Sequence, residues 1–224
     1  MNFFFYDLDG TLEDSRTDMT NAVVTVRAHL QLPFWEASKI TPNVNRGMAE
    51  LYRACFSDYL ADHSTKIPNS VEKLEQVREL YEDEYLAHVA DHTCLYEGMD
   101  AALRYLATQG KIIVITNKPE KISRALLEKL GVGTLITDVM GGDSCSENKP
   151  SPLPLRIAAE RHGFDRSVDA AFMIGDTLAD IRAGKAFGAK TVWCSWGYLD
   201  DPGAETPDFR FDHPAKLPHL LHLV

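Results

Sequence analysis

Short, continuous apolar runs separated by helical patterns dominate the start and the second half of the chain. The first run, Phe3–Tyr6, stops at Asp7 and is typical of a strand that is buried on both faces. Similar runs follow at Lys111–Thr116, Leu135–Met140, Ala170–Ile174 and Thr191–Cys194. Helical patterns separate or flank them at Met99–Gln109, Pro119–Leu130, Leu153–His162 and Leu178–Phe187. Because buried strands that alternate with helices favour a parallel sheet, the pattern predicts an α/β fold with a Rossmann-like core.

The stretch from Ser15 to about Leu95 has a different pattern, without a clear buried strand. Two apolar stripes at helical spacing occur there, one formed by Met19, Ala22, Val23, Val26 and Leu30, the other by Val71, Leu74, Val77, Tyr81 and Tyr85. Residues 48–60 are also expected to be helical. We therefore expect a core of residues 1–14 and 96–224 and an inserted, all-helical cap domain of residues 15–95.

Composition narrows the range of functions. The 224 residues include 23 basic and 33 acidic side chains, which gives a formal net charge of −10. An acidic chain is poorly suited to nucleic acid or to an anionic membrane, because phosphate groups attract basic surfaces. We expect neither as a partner.

The cysteines and the N-terminus indicate a reducing compartment. Cys55, Cys94, Cys145 and Cys194 lie far apart and contain no C-x-x-C pair. The chain shows no basic segment followed by a long apolar run at its start, and no run approaches the ~18 apolar residues of a membrane span. A cytoplasmic location is the expectation.

Polar residues follow several of the expected strands. Asp7 and Asp9 come after the first run, and Thr116, Asn117 and Lys118 end or follow the second. Further candidates are Lys149, in a loop with Pro150 and Pro152, and Asp176 and Asp180, after Ala170–Ile174. Since ligands bind at the carboxyl ends of parallel strands, these side chains are expected to meet in one crevice.

The chemistry of this set points to a metal and a phosphoryl group. Clustered carboxylates repel each other unless a cation neutralises them, and oxygen ligands suit Mg²⁺. A lysine and a hydroxyl group beside them can bind phosphoryl oxygens. One carboxylate can serve as a nucleophile, and a second, two residues on, as acid and base.

Four motifs in this order resemble those of the haloacid dehalogenase superfamily. DLDGT at residues 7–11 is similar to its first motif, and Thr116-Asn117 after an apolar strand is similar to the second. Lys149 in ENKPSP resembles the third, and GDTLAD at residues 175–180 resembles the fourth. The resemblance covers essentially the whole chain. Further stretches are similar to the phosphoglycolate phosphatase-like branch, which carries a helical cap.

This resemblance implies a role for each matching residue. Asp7 would be the nucleophile and a metal ligand, and Asp9 would be the general acid and base, with its carbonyl on the metal. Thr116, Asn117 and Lys149 would bind the substrate phosphate. Asp176 would be a metal ligand, and Asp180 would support the metal site or Lys149. The expected ligands of Mg²⁺ are thus Asp7, Asp9, Asp176 and Asp180.

Asp9 and Glu13 bear on the type of reaction and on the substrate. Dehalogenases and phosphonatases of the superfamily lack the aspartate that Asp9 provides, so the resemblance implies phosphoryl transfer. Glu13 replaces the apolar residue usual in this branch and would place a charge at the cap hinge, where it could alter closure or disfavour an anionic substrate. Lys118 is either a phosphate contact or a surface charge.

Within the insertion, residues 45–47 precede a predicted helix and could receive an anion. Arg46 is the candidate for a substrate carboxylate, with a solvated loop arginine as the alternative.

The expected function is Mg²⁺-dependent hydrolysis of a small phosphorylated metabolite similar to phosphoglycolate, through an aspartyl-phosphate. The alternatives within the superfamily are a sugar-phosphate or nucleotide phosphatase, a pyrophosphatase or a phosphomutase. A regulatory binding module is the non-enzymatic alternative.

Overall fold

The computed structural model describes residues 1–62 and 70–222, without the side chains of residues 45 and 46. The chain divides into two compact units, one made of Met1–Asp14 and Cys94–Val224, the other of Ser15–Thr93. Cys94 and Leu95 fall in the first unit, whereas the sequence pattern placed them in the insertion. They pair with Glu13–Asp14 in a short antiparallel ladder of the first unit.

The elements of both units are as follows. The strands are β1 (Asn2–Tyr6), β2 (Glu13–Asp14), β3 (Cys94–Leu95), β4 (Gly110–Ile115), β5 (Asp138–Met140), β6 (Ala170–Gly175), β7 (Lys190–Cys194) and β8 (Phe209–Phe211). The α-helices are α1 (Arg16–His29), α2 (Ala37–Ile40), α3 (Met48–Cys55), α4 (Ser57–Ala61), α5 (Ser70–Ala87), α6 (Met99–Ala107), α7 (Glu120–Lys129), α8 (Leu153–Arg161) and α9 (Leu178–Phe187). In the described part of the chain, 3-10 helices cover Thr41–Arg46, Gly133–Leu135 and Pro214–His222. Among the helices of residues 1–62 and 70–222, none is both long and apolar enough to cross a membrane.

The first unit is built on one parallel sheet with the strand order β5-β4-β1-β6-β7-β8. Strand β1 lies at its centre, with Phe4 opposite Ile112 of β4 and Phe172 of β6. The chain first adds β4 and β5 on one side of β1 and then β6, β7 and β8 on the other. The expected α/β, Rossmann-like fold is confirmed.

The aromatic residues of β1 explain its unbroken apolar sequence. Phe3 packs edge-to-face against Phe164, and Phe5 against Phe187, while Phe4 stacks on Phe172 with ring centroids 5.5 Å apart. All three phenylalanines of β1 are almost fully buried. Since each buried aromatic ring contributes roughly 1.5–3 kcal/mol, this strand anchors the sheet from both faces.

Two predicted elements differ in extent from the structure. The run expected as a strand at Leu135–Met140 begins with the end of a 3-10 helix, and β5 starts only at Asp138. The helix expected at residues 48–60 is divided into α3 and α4 at Phe56, which leaves the helical conformation and buries its ring completely.

The second unit has its own core. Helices α1 and α5 pack together, and Tyr52, Tyr81 and Tyr85 form an aromatic cluster with centroid distances of 5.3 and 5.9 Å. Arg27 of α1 is buried and binds Asp58 with an Nη2–Oδ2 distance of 2.6 Å. Among the described residues of this unit, the buried charged side chains Asp18, Arg27 and Lys73 all have partners, as burial of an ion requires.

The side chain of Asp18, in the first turn of α1, joins the beginning and the end of this unit. Its Oδ2 accepts hydrogen bonds from the backbone N–H of Thr93 at 2.8 Å and from the Thr93 hydroxyl at 2.6 Å. The backbone N–H of His92 also donates to it. Residues 92 and 93 are therefore fixed to the first turn of α1.

The buried carboxyl group of Asp138 makes the stability of the first unit depend on pH. Burial by itself would raise the pKa of this carboxyl group, but bonds from His162, Arg161, the Val139 amide and Arg124 outweigh burial and lower the pKa to about 2. Asp138 therefore stabilises the fold fully above the unfolded-state pKa of about 3.9, and this stabilisation is lost as the pH falls through about 2.

We expect Asp138→Asn to lower the free energy of unfolding by about 1–3 kcal/mol at pH 7, and by about half as much at pH 3. Urea unfolding at the two pH values measures this. Asp100→Asn, in the exposed pair with Arg104, is the control and should change stability by less than about 0.5 kcal/mol. Equal losses of unfolding free energy for both variants would contradict the stabilising role of the Asp138 carboxylate.

Candidate active site

Three residues of the site directly follow the ends of three neighbouring strands. Asp7 directly follows β1, Thr116 follows β4 and Asp176 follows β6. The backbone hydrogen bond from Asp7 N to Ile174 O, at 2.9 Å, continues the ladder to this point. Because the order of strands reverses about β1, the ends of these strands form the crevice in which parallel sheets bind ligands.

Asp7, Asp176 and Asp180 form a buried carboxylate cluster. One oxygen from each lies within 4.8 Å of the others. Asp180 is placed by the start of α9, where its Oδ2 accepts bonds from the backbone N–H of Thr177 at 2.9 Å and from its hydroxyl at 2.6 Å. This reciprocal capping of a helix fixes the carboxylate in one orientation.

Asp176 is held by residues from two other loops. Thr11 donates its hydroxyl to Oδ1 at 3.0 Å, and the backbone N–H of Tyr198 donates to Oδ2 at 2.7 Å. A Cβ atom at Gly10 would lie 2.4 Å from Oδ2, and one at Gly197 would lie 2.2 Å from the Cβ of Asp176. Both glycines are required because only a residue without a side chain fits against this carboxylate.

Lys149 joins the two remaining carboxylates of the cluster. Its Nζ lies 2.7 Å from Asp7 Oδ1 and 2.7 Å from Asp180 Oδ1. Burial lowers the pKa of Lys149, but the charges of Asp180 and Asp7 outweigh burial and raise it, so the ammonium form is favoured. The Lys149–Pro150 peptide bond is cis, and the carbonyl of Lys149 accepts a hydrogen bond from Asn117 Nδ2 at 3.2 Å.

Ionisation of Asp7 and Asp176 is unfavourable in this cluster. Burial, followed by the charge of Asp180, raises the pKa of Asp7 well above its usual range. The same two causes raise the pKa of Asp176 to about 7. One lysine does not offset three buried carboxylates, so the cluster favours a proton or a further cation.

The second aspartate of DLDGT lies beside a different lysine. Lys118 Nζ contacts Asp9 Oδ1, and the same nitrogen is 3.9 Å from Glu13 Oε1. Lys118 and Glu13 are completely buried, whereas Asp9 is about one-fifth exposed. Thr116 accepts a hydrogen bond from the backbone N–H of Lys118 at 3.1 Å. Lys118 is therefore a buried group of the site and not the surface charge considered as an alternative.

The structure thus brings together seven of the eight residues that the sequence indicated. Five of them follow the ends of β1, β4 and β6, while Lys149 comes from the loop before α8 and Asp180 from the first turn of α9; the seven are Asp7, Asp9, Thr116, Asn117, Lys149, Asp176 and Asp180. Arg46 lies at the end of the 3-10 helix Thr41–Arg46 in the second unit, and its side chain is outside the described residues. Sequence reasoning missed the loop Gly197–Tyr198, because a backbone amide has no signature of its own.

Comparisons with known proteins agree with this geometry. Residues 4–194 match the family described as haloacid dehalogenase-like hydrolase. The chain belongs to this family.

Two curated relatives and one solved structure illustrate the similarity within the haloacid dehalogenase-like family. A protein of Chromobacterium violaceum named phosphoglycolate phosphatase is 34% identical over 87% of this chain and 85% of its own length. One of the same name from Aquifex aeolicus is 30% identical over 100% of this chain and 99% of its own. A crystal structure of a predicted phosphoglycolate phosphatase from Haemophilus somnus has a TM-score of 0.83 and 23% identity, and covers 98% of this chain and 97% of that one. The resemblance stated from the motifs is confirmed.

The raised pKa of Asp176 predicts that the cluster destabilises the metal-free fold. In the folded chain Asp176 ionises only near pH 7, whereas in the unfolded chain it ionises near pH 4. Its contribution to stability therefore falls as the pH rises through this interval. Asp176→Asn keeps the shape and can bond both Thr11 and the Tyr198 amide.

With a chelator present, we expect Asp176→Asn to raise the free energy of unfolding by about 1–3 kcal/mol at pH 8 and by much less at pH 5. Thermal unfolding at both pH values is the measurement. A loss of stability at pH 8 would show that the bonds of the carboxylate outweigh its repulsion.

Proposed function

We propose that this chain is a Mg²⁺-dependent phosphatase that hydrolyses a small phosphomonoester through an aspartyl-phosphate on Asp7. The observation that carries the proposal is the contact of Lys149 with both Asp7 and Asp180, beside Asp176 at the ends of adjacent strands. The relatives named phosphoglycolate phosphatase support the class of reaction, a phosphoric monoester hydrolysis.

The residues present fit a magnesium ion. Asp7 and Asp176 offer oxygen donors, which Mg²⁺ prefers, and burial together with the charge of Asp180 raises the pKa of both carboxyl groups, an effect that a bound cation would offset. Asp180 belongs to the same acidic group and contacts Lys149 through Oδ1, so it would support the metal site, position the lysine, or both. When bound, the ion supplies neutralisation of negative charge on the phosphoryl group.

Asp7 is suited to nucleophilic attack. Its Oδ1 accepts the backbone N–H of Leu8 at 2.7 Å and contacts Lys149 at 2.7 Å, so the orientation of the carboxylate is fixed. Oδ2 attacks phosphorus, the bond from phosphorus to the ester oxygen breaks, and the Asp7–phosphate bond forms. Lys149 and Thr116 then hold phosphoryl oxygens, with Asn117 fixing the lysine through its carbonyl.

Asp9 is the group that moves protons in this scheme. In the first step it gives a proton to the departing ester oxygen, which leaves as an alcohol. In the second it takes a proton from water, whose oxygen attacks phosphorus while the bond to Asp7 breaks. Inorganic phosphate, the Asp7 carboxylate and a protonated Asp9 are the products of that step.

The substrate we propose is a phosphomonoester similar to phosphoglycolate, as for the named relatives. Arg46, a forked donor suited to a carboxylate, remains the proposal for its recognition. The proposal includes a cytoplasmic location and a small phosphorylated metabolite as the partner.

Removal of metal should abolish turnover. We expect no hydrolysis of phosphoglycolate or p-nitrophenyl phosphate in excess EDTA, with full recovery when Mg²⁺ is added in excess of the chelator. Mg²⁺ should also raise the melting temperature of the unmodified protein, because a ligand that binds only the folded state stabilises it. Asp176→Asn is the control, whose melting temperature should respond far less. Turnover in excess chelator would overturn the metal proposal.

Substitution of the two aspartates of DLDGT should affect turnover in different ways. Asp7→Asn should abolish turnover, because an amide is a poor nucleophile. Asp9→Asn should slow it by about 10²–10⁴-fold, the usual contribution of general acid–base catalysis, while still allowing phosphate transfer to Asp7. Steady-state rates and acid-quenched detection of labelled protein measure the two effects. Near-normal activity of Asp7→Asn would rule out the covalent route.

A further inference from the structure

Glu13, Lys118 and Asp9 form a row of alternating charges at the edge of the carboxylate cluster. Lys118 Nζ contacts Asp9 Oδ1 on one side and lies 3.9 Å from Glu13 Oε1 on the other. The side chains of Lys118 and Glu13 are both completely buried. A buried ammonium group requires compensating charge, which these carboxylates provide.

The backbone on both sides of this row is fixed. The backbone N–H of Lys118 donates to Thr116 Oγ1 at 3.1 Å, and its carbonyl accepts from Gly142 N at 2.9 Å. Glu13 lies in β2, opposite Leu95 of β3, and its carbonyl accepts from Gly10 N at 2.9 Å. The backbone of Lys118 is therefore fixed, and its ammonium group lies between the carboxylates of Asp9 and Glu13.

We propose that Lys118 is a positioning residue that fixes the Asp9 carboxyl group for proton transfer, and that Glu13 holds Lys118 in place. The proposal rests on the function proposed above. A carboxyl group held at Oδ1 has lost its free rotation, so the geometry of proton transfer is set before the substrate binds. The negative charge of Glu13 is then directed at Lys118 and not at the substrate.

The leaving group provides the test. An alkyl phosphate such as phosphoglycolate needs a proton on its departing oxygen, whereas p-nitrophenyl phosphate leaves readily without one. For Lys118→Met we expect kcat/KM on phosphoglycolate to fall by about 10–100-fold, part of the roughly 10²–10⁴-fold that acid–base catalysis supplies. On p-nitrophenyl phosphate the fall should stay below about 3-fold. Equal losses on both substrates would overturn the proposal.

Glu13 is tested by its own variants. Glu13→Gln alone should produce a selective loss of the same kind as Lys118→Met but smaller, about 3–10-fold on phosphoglycolate, because the charge attraction across 3.9 Å is lost while the contact of Lys118 with Asp9 stays. Since Lys118→Met leaves a buried carboxylate uncompensated, the double variant Glu13→Gln/Lys118→Met is the stable form in which to repeat the assay. The double variant should be no slower than Lys118→Met, because residues that act as one unit are not additive. Additive losses of kcat/KM in the double variant would show that Glu13 does not act through Lys118, and would overturn that part of the proposal.

Binding of inorganic phosphate separates this role from direct substrate contact. With Mg²⁺ present, the affinity of Lys118→Met for phosphate should stay within about 3-fold of that of the unmodified protein, because the charge of Lys118 is shared by Asp9 and Glu13. A loss of about 10-fold or more would make Lys118 a phosphate ligand and overturn the proposal.

Crystal structures of the unmodified protein and of Lys118→Met decide the orientation independently of activity. We expect one conformer of Asp9 in the first and several in the second, and a single, unchanged conformer in both would refute the proposal. Asp138→Asn is the matched control, since it also removes a buried charge from the first unit and should leave the ratio of the two substrates unchanged. If the unmodified protein hydrolyses neither ester, the proposed phosphatase function fails, and the conformers of Asp9 still decide the role of Lys118.

Discussion

Mutual repulsion of buried carboxylates is the constraint on which this site depends. One oxygen each of Asp7, Asp176 and Asp180 lies within 4.8 Å of the others, and all three residues are buried, so their like charges interact strongly. The surrounding residues respond to this repulsion. Lys149 lies between two of the carboxylates, backbone amides of Leu8, Thr177 and Tyr198 point at their oxygens, and glycines allow the chain to approach closely.

The sheet makes such crowding tolerable. Strand β1 pairs with β4 on one side and β6 on the other, and its phenylalanines pack against other aromatic rings on both faces of the sheet. The positions of Asp7 and Asp176 are therefore set by a rigid frame. A frame of this kind can hold like charges in an arrangement that a mobile loop would relax. The burial of β1 thus also explains how the carboxylates that follow its neighbouring strands stay crowded together.

Most of the frame could be predicted from the sequence, because its periodicities are strong. Helix α9 has the bounds that the pattern indicated, and the expected strands recur with shifts of one residue, except β5. Phe56 divides a helix for reasons of packing that no local pattern contains. The contact of Lys118 with Asp9 joins residues 109 positions apart, and no local pattern indicates it. The Tyr198 contact uses a backbone N–H group, which every residue except proline has, so the sequence could not single it out.

The fixing of Thr93 to Asp18 has a consequence for how this chain can change over evolutionary time. In the helical unit Ser15 and Thr93 are the terminal residues, and Asp18 ties the last of them to the first helical turn. In the sheet unit the flanking residues Asp14 and Cys94 are paired across β2 and β3. Each unit thus holds its own boundary residues together. The 79 residues of the helical unit could therefore be shortened, lengthened or exchanged while the strands that carry the carboxylate cluster keep their register.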